Sequence, residues 1–201
     1  INNHFVGLNY DRSKRVGGRL PIPMKDLRAI QERCFEIDDE LRWLVALISD
    51  TGMRLAEATG LLIEDINLDK DFPFVSLKSH PWRPLKTEGS RRDIPLVAQS
   101  LWSAKRIKAM AQSKFAFPRY NSASVTSTNT ASATLNKWLK SKGLGLYTMH
   151  SFRHSLRDRL RNVNCPSEVV DQIGGWSNKT VGQEYGSGYA FRNLQEWMNL
   201  I

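Results

Sequence analysis

The sequence predicts an α+β domain, mainly α-helical, with a small antiparallel three-stranded sheet. Three observations predict it. Apolar residues recur at helical spacing from Leu27 to Leu61 and again from Val97 onward, the pattern of helices with one buried face. Between Ile63 and Leu96 that period shortens, as strands require. Hydrophobic residues make up 41% of the 201 positions, enough to bury a core, yet no apolar run approaches the roughly 18 residues that would cross a bilayer.

Taken in order, residues 1–20 are polar, basic and glycine-containing, and read as a linker or arm ending at Pro21-Ile22-Pro23. The chain opens Ile1-Asn2-Asn3-His4, without an initiator Met or signal peptide. It is therefore expected to be a fragment whose arm follows a further N-terminal domain, with residues 21–201 forming the folded domain. Leu27, Ile30 and Cys34 mark a first helix from Met24 to about Phe35. Asp38 or Asp39 caps a second, lined by Leu41, Leu44, Val45 and Ile48, and Gly52 stops it. A third runs from Arg54 to about Leu61, which sets Arg54 at a tight junction. Phe74–Leu77 and Arg92–Leu96 read as strands, with Trp82–Lys86 as a third between them and Thr87–Ser90 as a turn. Helices resume over Val97–Ala111, Thr128–Lys142 and Thr148–Arg161, then after Pro166-Ser167, and a last amphipathic helix carries Phe191, Leu194, Trp197, Met198 and Ile201.

Lys and Arg number 29 against 20 Asp and Glu, a net charge of +9 that points to a polyanion, either nucleic acid or an anionic membrane. The two cysteines, Cys34 and Cys165, lack metal-ligand spacing and read as reduced, buried thiols of a cytoplasmic protein.

Six residues carry candidate chemistry, and each has a plainer reading. Arg54 could simply pair with Glu57 in solvent. His150 and Arg153, three apart, share a helix face that a basic, phosphate-facing helix would also show. His150 and His154 have zinc-helix spacing, but Ser151 stands where a metalloprotease helix carries Glu and no third ligand is apparent. Lys86 could be a solubilising hairpin residue, Trp176 a core indole, and Tyr185 is one of five tyrosines, with Tyr189 four positions on. It is the combination that speaks: two guanidiniums to grip a phosphate and a phenol to attack it.

Thr51-Gly52-Met53-Arg54, Lys86-Thr87, His150-Ser151-Phe152-Arg153-His154, Gly174-Gly175-Trp176 and Tyr185 together resemble the active-site set of the tyrosine recombinases, the phage-integrase family. Arg153 and Tyr185 stand 32 positions apart, and Trp176 and Tyr185 stand 9 apart, intervals similar to the family's. The resemblance covers roughly residues 20–201. One departure is Trp176, where the family usually has histidine; Lys78 is the alternative to Lys86. A non-catalytic DNA-binding module of the same fold and a type IB topoisomerase-like enzyme are the rival readings.

The resemblance implies that Tyr185 attacks a DNA phosphorus to give a 3′-phosphotyrosine and a 5′-hydroxyl. Arg54 and Arg153 would bind the non-bridging oxygens and Trp176 would donate to them. His150 would be the base and Lys86 the acid. No cofactor or metal is implied, so activity is expected in EDTA. Arg83, Arg91, Arg92, Arg157 and Arg161 would contact backbone phosphates of double-stranded attachment sites. A homo-tetramer on DNA, joined through the C-terminal helix, is expected, with accessory DNA-bending proteins as possible partners and no membrane. The setting implied is phage or mobile-element integration and excision, in the cytoplasm of a bacterial or phage-infected cell.

Overall fold

The computed structural model describes residues 20–68, 71–87, 90–176 and 188–201. Helix α1 (Met24–Ile37) buries Leu27, Ile30 and Cys34 on one face. It stops at Asp38, whose left-handed backbone lets its amide close on the carbonyl of Cys34. Asp39 then starts α2 (Glu40–Thr51), its carboxylate accepting from the amide of Arg42. From Trp43 to Thr51 helix α2 is buried on every side, packed against α1, α4 (Ala98–Ala109) and α6 (Ser151–Asn162). Gly52 ends it as the sequence predicts, at φ 60°, and Arg54 leads directly into the short α3 (Leu55–Thr59).

The sheet is antiparallel, in the order β1 (Ile66–Asn67), β2 (Phe74–Leu77), β3 (Arg92–Pro95). Ile66, Val75 and Ile94 form one buried row across it. Pro95 is tolerated because β3 is an edge strand. The third strand is thus Ile66–Asn67, not the Trp82–Lys86 stretch expected from the sequence. Pro81 and Pro84 flank Trp82-Arg83 and have no amide to give a ladder. The segment turns instead through paired backbone bonds between His80 and Arg83, and Trp82 Nε1 donates to the carbonyl of Gly60 at 3.1 Å.

Helices α5 (Thr128–Ser141), α6, α7 (Ser167–Gly174) and α8 (Phe191–Met198) complete the described elements. Helix α6 starts at Ser151, three residues later than expected. The Ser151 hydroxyl accepts from the Thr148 amide and its own amide returns to the Thr148 carbonyl, making a turn. Two hydrophobic clusters result. The larger joins α1, α2, α4, α5 and the sheet; the smaller joins Val97, α6, α7 and α8. Helix α6 serves both, giving Phe152 to one and Leu156 and Leu160 to the other. A buried ion pair, Arg159 with Asp50 at 2.9 Å, fastens α6 to α2.

Leu194 and Met198 of α8 are buried in the smaller cluster, and Phe191 meets Phe74 edge-on with centroids 5.4 Å apart. The apolar face of the C-terminal helix is therefore used within its own domain. Cys34 and Cys165 are free and buried, as expected. Among the described residues no helix is long and apolar enough to cross a membrane.

Candidate functional site

Three chain segments meet where α2 ends: the start of α3, the start of β3 and the first turn of α6. Glu57 is the hub of the first two. Its carboxylate is buried; it accepts from the Arg54 amide at 2.9 Å, pairs with the Arg54 guanidinium, and takes Arg92 Nη2 at 3.2 Å. Burial alone would raise the Glu57 carboxyl, but Arg92 and then Arg54 hold it below its ordinary value. The Arg54 pairing anticipated as a plain surface contact is therefore half-buried, with 27% of the arginine side chain exposed. Arg54 Nη1 also reaches Ser90 Oγ at 3.2 Å, and the Ser90 and Thr87 hydroxyls lie 2.9 Å apart. The stretch that follows Lys86 is tied to the first arginine in this way.

Arg153 comes from the first turn of α6. It is 3% exposed, and its Nη1 donates to the carbonyl of Gly52 at 2.8 Å. Its Nη2 is buried with no hydrogen-bond partner among the described residues. Burial, then the like charges of Arg92 and Arg54, lowers its pKa to about 9, with Glu57 opposing. Three guanidiniums (Arg54, Arg92 and Arg153) thus crowd about the one carboxylate of Glu57, and a fourth beside them, Arg157, is paired with Asp171. An anion set against Arg54 and Arg153 would relieve that repulsion and satisfy the unpaired nitrogen.

Trp176 lies over this group. Arg153 and Arg157 stand 4.4 and 5.0 Å from the centre of its ring. Gly174 allows the fold-back, because a Cβ there would sit 1.8 Å from the indole. Arg157 is also paired with Asp171 at 3.4 Å. His150 stands at the N-terminal end of α6, half-buried, its ring 5.1 Å from that of His154. Lys86 is exposed beyond β2. Tyr185 lies outside the described residues. Tyr189 is exposed, its hydroxyl donating to Glu168 at 3.1 Å, and that carboxylate raises its pKa.

The five arginines expected on DNA phosphates divide. Arg91 and Arg161 are exposed and Arg157 is partly so. Arg83 is 2% exposed, its Nη1 donating to the carbonyl of Lys78 at 2.7 Å. Arg92 is equally enclosed, with 5% of its side chain exposed. The Arg92 guanidinium is committed to bonds within the chain, whereas Nε and Nη2 of Arg83 are buried without a hydrogen-bond partner among the described residues. The alternative lysine, Lys78, is paired with Asp65 at 3.2 Å. Sequence reading missed Glu57 as the hub; its only signal is the three-residue interval from Arg54. Among the described residues no group of three or more His, Cys, Asp or Glu side chains could hold a metal ion.

The sequence model of the phage integrase family matches residues 23–189. The tyrosine recombinase XerA of Pyrococcus horikoshii is 25% identical over 189 residues, covering 90% of this chain and 63% of that protein. The Tn1549 transposon integrase, solved in complex with circular intermediate DNA, superposes with a TM-score of 0.65 at 17% identity, covering 92% of this chain and 66% of that one. The XerH site-specific recombinase bound to difH substrate gives 0.60 at 18% identity, covering 90% and 51%. These superpositions show a shared fold. The chain spans less than two thirds of each of these three relatives.

Proposed function

The chain belongs to the phage integrase family, and on that footing we propose that it is the catalytic unit of a site-specific recombinase that cuts and rejoins double-stranded DNA. The observation that carries this is the site around Arg54 and Arg153: a buried guanidinium nitrogen with no hydrogen-bond partner among the described residues, inside an excess of positive charge. The fold shared with DNA-bound recombinases supports it.

In this mechanism the Tyr185 hydroxyl attacks the scissile phosphorus, forming a phosphotyrosine on the 3′ side as the bond to the 5′-oxygen breaks. The bond energy is kept in the ester, so a 5′-hydroxyl from the same or a partner strand can attack and release the tyrosine. Arg54 and Arg153 bind the non-bridging oxygens as charge develops on them, and the Trp176 indole donates to the same oxygens. A phenol of ordinary pKa near 10 needs a base at neutral pH, and His150 takes that proton. Lys86 returns one to the leaving 5′-oxygen. The guanidiniums and the ammonium supply the positive charge that Mg²⁺ brings to other phosphoryl transfers, so the reaction proceeds in EDTA.

Arg91, Arg157 and Arg161 are the backbone-phosphate contacts in this scheme, positioning the duplex without reading its sequence. The arm of residues 1–20 would join the unit to a DNA-binding domain. Assembly as a homo-tetramer through α8 requires that helix to leave the groove in which Leu194 and Met198 are buried and enter a neighbour's. Accessory DNA-bending proteins would complete such a complex, in the cytoplasm, during phage or mobile-element integration and excision.

The test is covalent capture. A pool of nicked duplexes of randomised sequence is incubated with the protein in EDTA, and DNA that stays protein-bound under denaturing conditions is sequenced. A captured sequence family supports the proposal. Tight DNA binding with no covalent product would replace it with a non-catalytic DNA-binding module. Capture without sequence preference would favour a topoisomerase-like enzyme.

A further inference from the structure

Arg92 is the first residue of β3, and all three of its guanidinium nitrogens are committed to different parts of the chain. Nε donates to the carbonyl of Ile173 in the last turn of α7 at 2.9 Å. Nη1 donates to the carbonyl of Ser90 at 2.8 Å, within its own hairpin, and Nη2 reaches Glu57 Oε2 at 3.2 Å. Each of these partners supports a residue of the site. Glu57 holds the backbone and side chain of Arg54. Ile173 precedes the Gly174-Gly175 turn that lays Trp176 over Arg153 and Arg157. Ser90 binds Arg54 and closes the turn with Thr87, next to Lys86.

We propose that Arg92 is a positioning residue for strand cleavage, fixing the Arg54, Trp176 and hairpin segments relative to one another through one buried guanidinium. This rests on the recombinase reading above. The reason arginine is needed is geometric. A planar fork presents donors in fixed directions to three acceptors at once, whereas a lysine ammonium is a point charge on a flexible stem. Arg92 also adds charge beside Arg153, but charge alone would be restored by lysine. The phosphate seat depends on placement, and a misplacement of about 1 Å in such a site costs on the order of 10²-fold in rate.

The experiment compares wild type, Arg92→Lys and Arg92→Met in the 201-residue chain. Single-turnover formation of the covalent product is measured on the captured duplex, and Kd for the same duplex is measured in the Tyr185→Phe background. Backbone hydrogen exchange is followed at Arg54 and at residues 171–176. The expected result is a fall in cleavage rate at saturating protein on the order of 10²-fold for Arg92→Met. Arg92→Lys should not restore the rate, Kd should be nearly unchanged, and exchange should quicken at both segments together. Wild-type cleavage by either variant would overturn the proposal, as would a loss of affinity that accounts for the loss of rate. If wild type captures no DNA, the recombinase reading falls; the exchange data still decide the coupling, and unchanged exchange at either segment overturns it.

Discussion

Arg153 Nη1 lies 2.8 Å from the carbonyl oxygen of Gly52, 101 positions earlier in the chain. One nitrogen of this guanidinium thus caps the buried C-terminal end of α2, while the other, Nη2, has no hydrogen-bond partner among the described residues. The residue proposed to grip the phosphate also fastens the helix that carries it to the centre of the fold. A lysine could not do both. Arg153→Lys is expected to lower stability by about 1–3 kcal/mol, the cost of a lost buried hydrogen bond to a charged group. It should also reduce cleavage on the order of 10²-fold or more at saturating DNA, as removal of a preorganised donor does elsewhere. Urea unfolding and single-turnover cleavage of the captured duplex check the two parts separately.

Glu57 gives a pH signature. Its folded pKa is depressed, chiefly by Arg92 and then Arg54 working against burial. Its contribution to stability is therefore fully present above its ordinary value of 4.5 and is lost as pH falls through the depressed folded value. The difference in Tm between wild type and Glu57→Gln should be constant near neutral pH and close progressively below pH 4.5. A gap that persists unchanged into acid would show that the carboxylate charge is not what holds Arg54 and Arg92.

Asp50 is fully buried, and Arg159, Gln31 and the Gln99 amide all bond to it. Removing it leaves the Arg159 charge uncompensated in the interior. Asp50→Ala should cost about 3–5 kcal/mol in denaturant unfolding. The double variant Asp50→Leu/Arg159→Met, apolar on both sides, should cost much less.

The two thiols test burial directly. Cys34 is pushed up to about 12 and Cys165 to about 11, in both cases chiefly by burial. Neither should react with a disulfide reagent at pH 8 in the native protein, and both should react promptly in urea. Fast native labelling of Cys34 would contradict the packing of α1 on α2.

Much of the fold is legible in the sequence because its signals are local. The Asp39 cap, the Gly52 stop and the Leu27–Cys34 stripe each act within a turn or two. Strand β1 is not legible, since two residues carry no period and Ile66 becomes a strand only by pairing with Val75. The Trp82–Lys86 stretch misleads because its aromatic residue answers to Gly60, far from its neighbours in sequence. The same divide runs through the site. Arg54 and Arg153 announce themselves by motif, whereas nothing local distinguishes the exposed Arg91 from its buried neighbour Arg92. Enclosure of Arg92 depends on Glu57 and on the carbonyl of Ile173, 81 positions away.

The most direct test of the central claim is which tyrosine becomes linked to DNA. Wild type, Tyr185→Phe and Tyr189→Phe are incubated in EDTA with the nicked captured duplex and run on a denaturing gel. Tyr189 donates to Glu168, which raises its pKa above that of an ordinary phenol. The covalent band should therefore persist in Tyr189→Phe and vanish in Tyr185→Phe. A band that survives Tyr185→Phe and is lost only in Tyr189→Phe would contradict the assignment of the nucleophile.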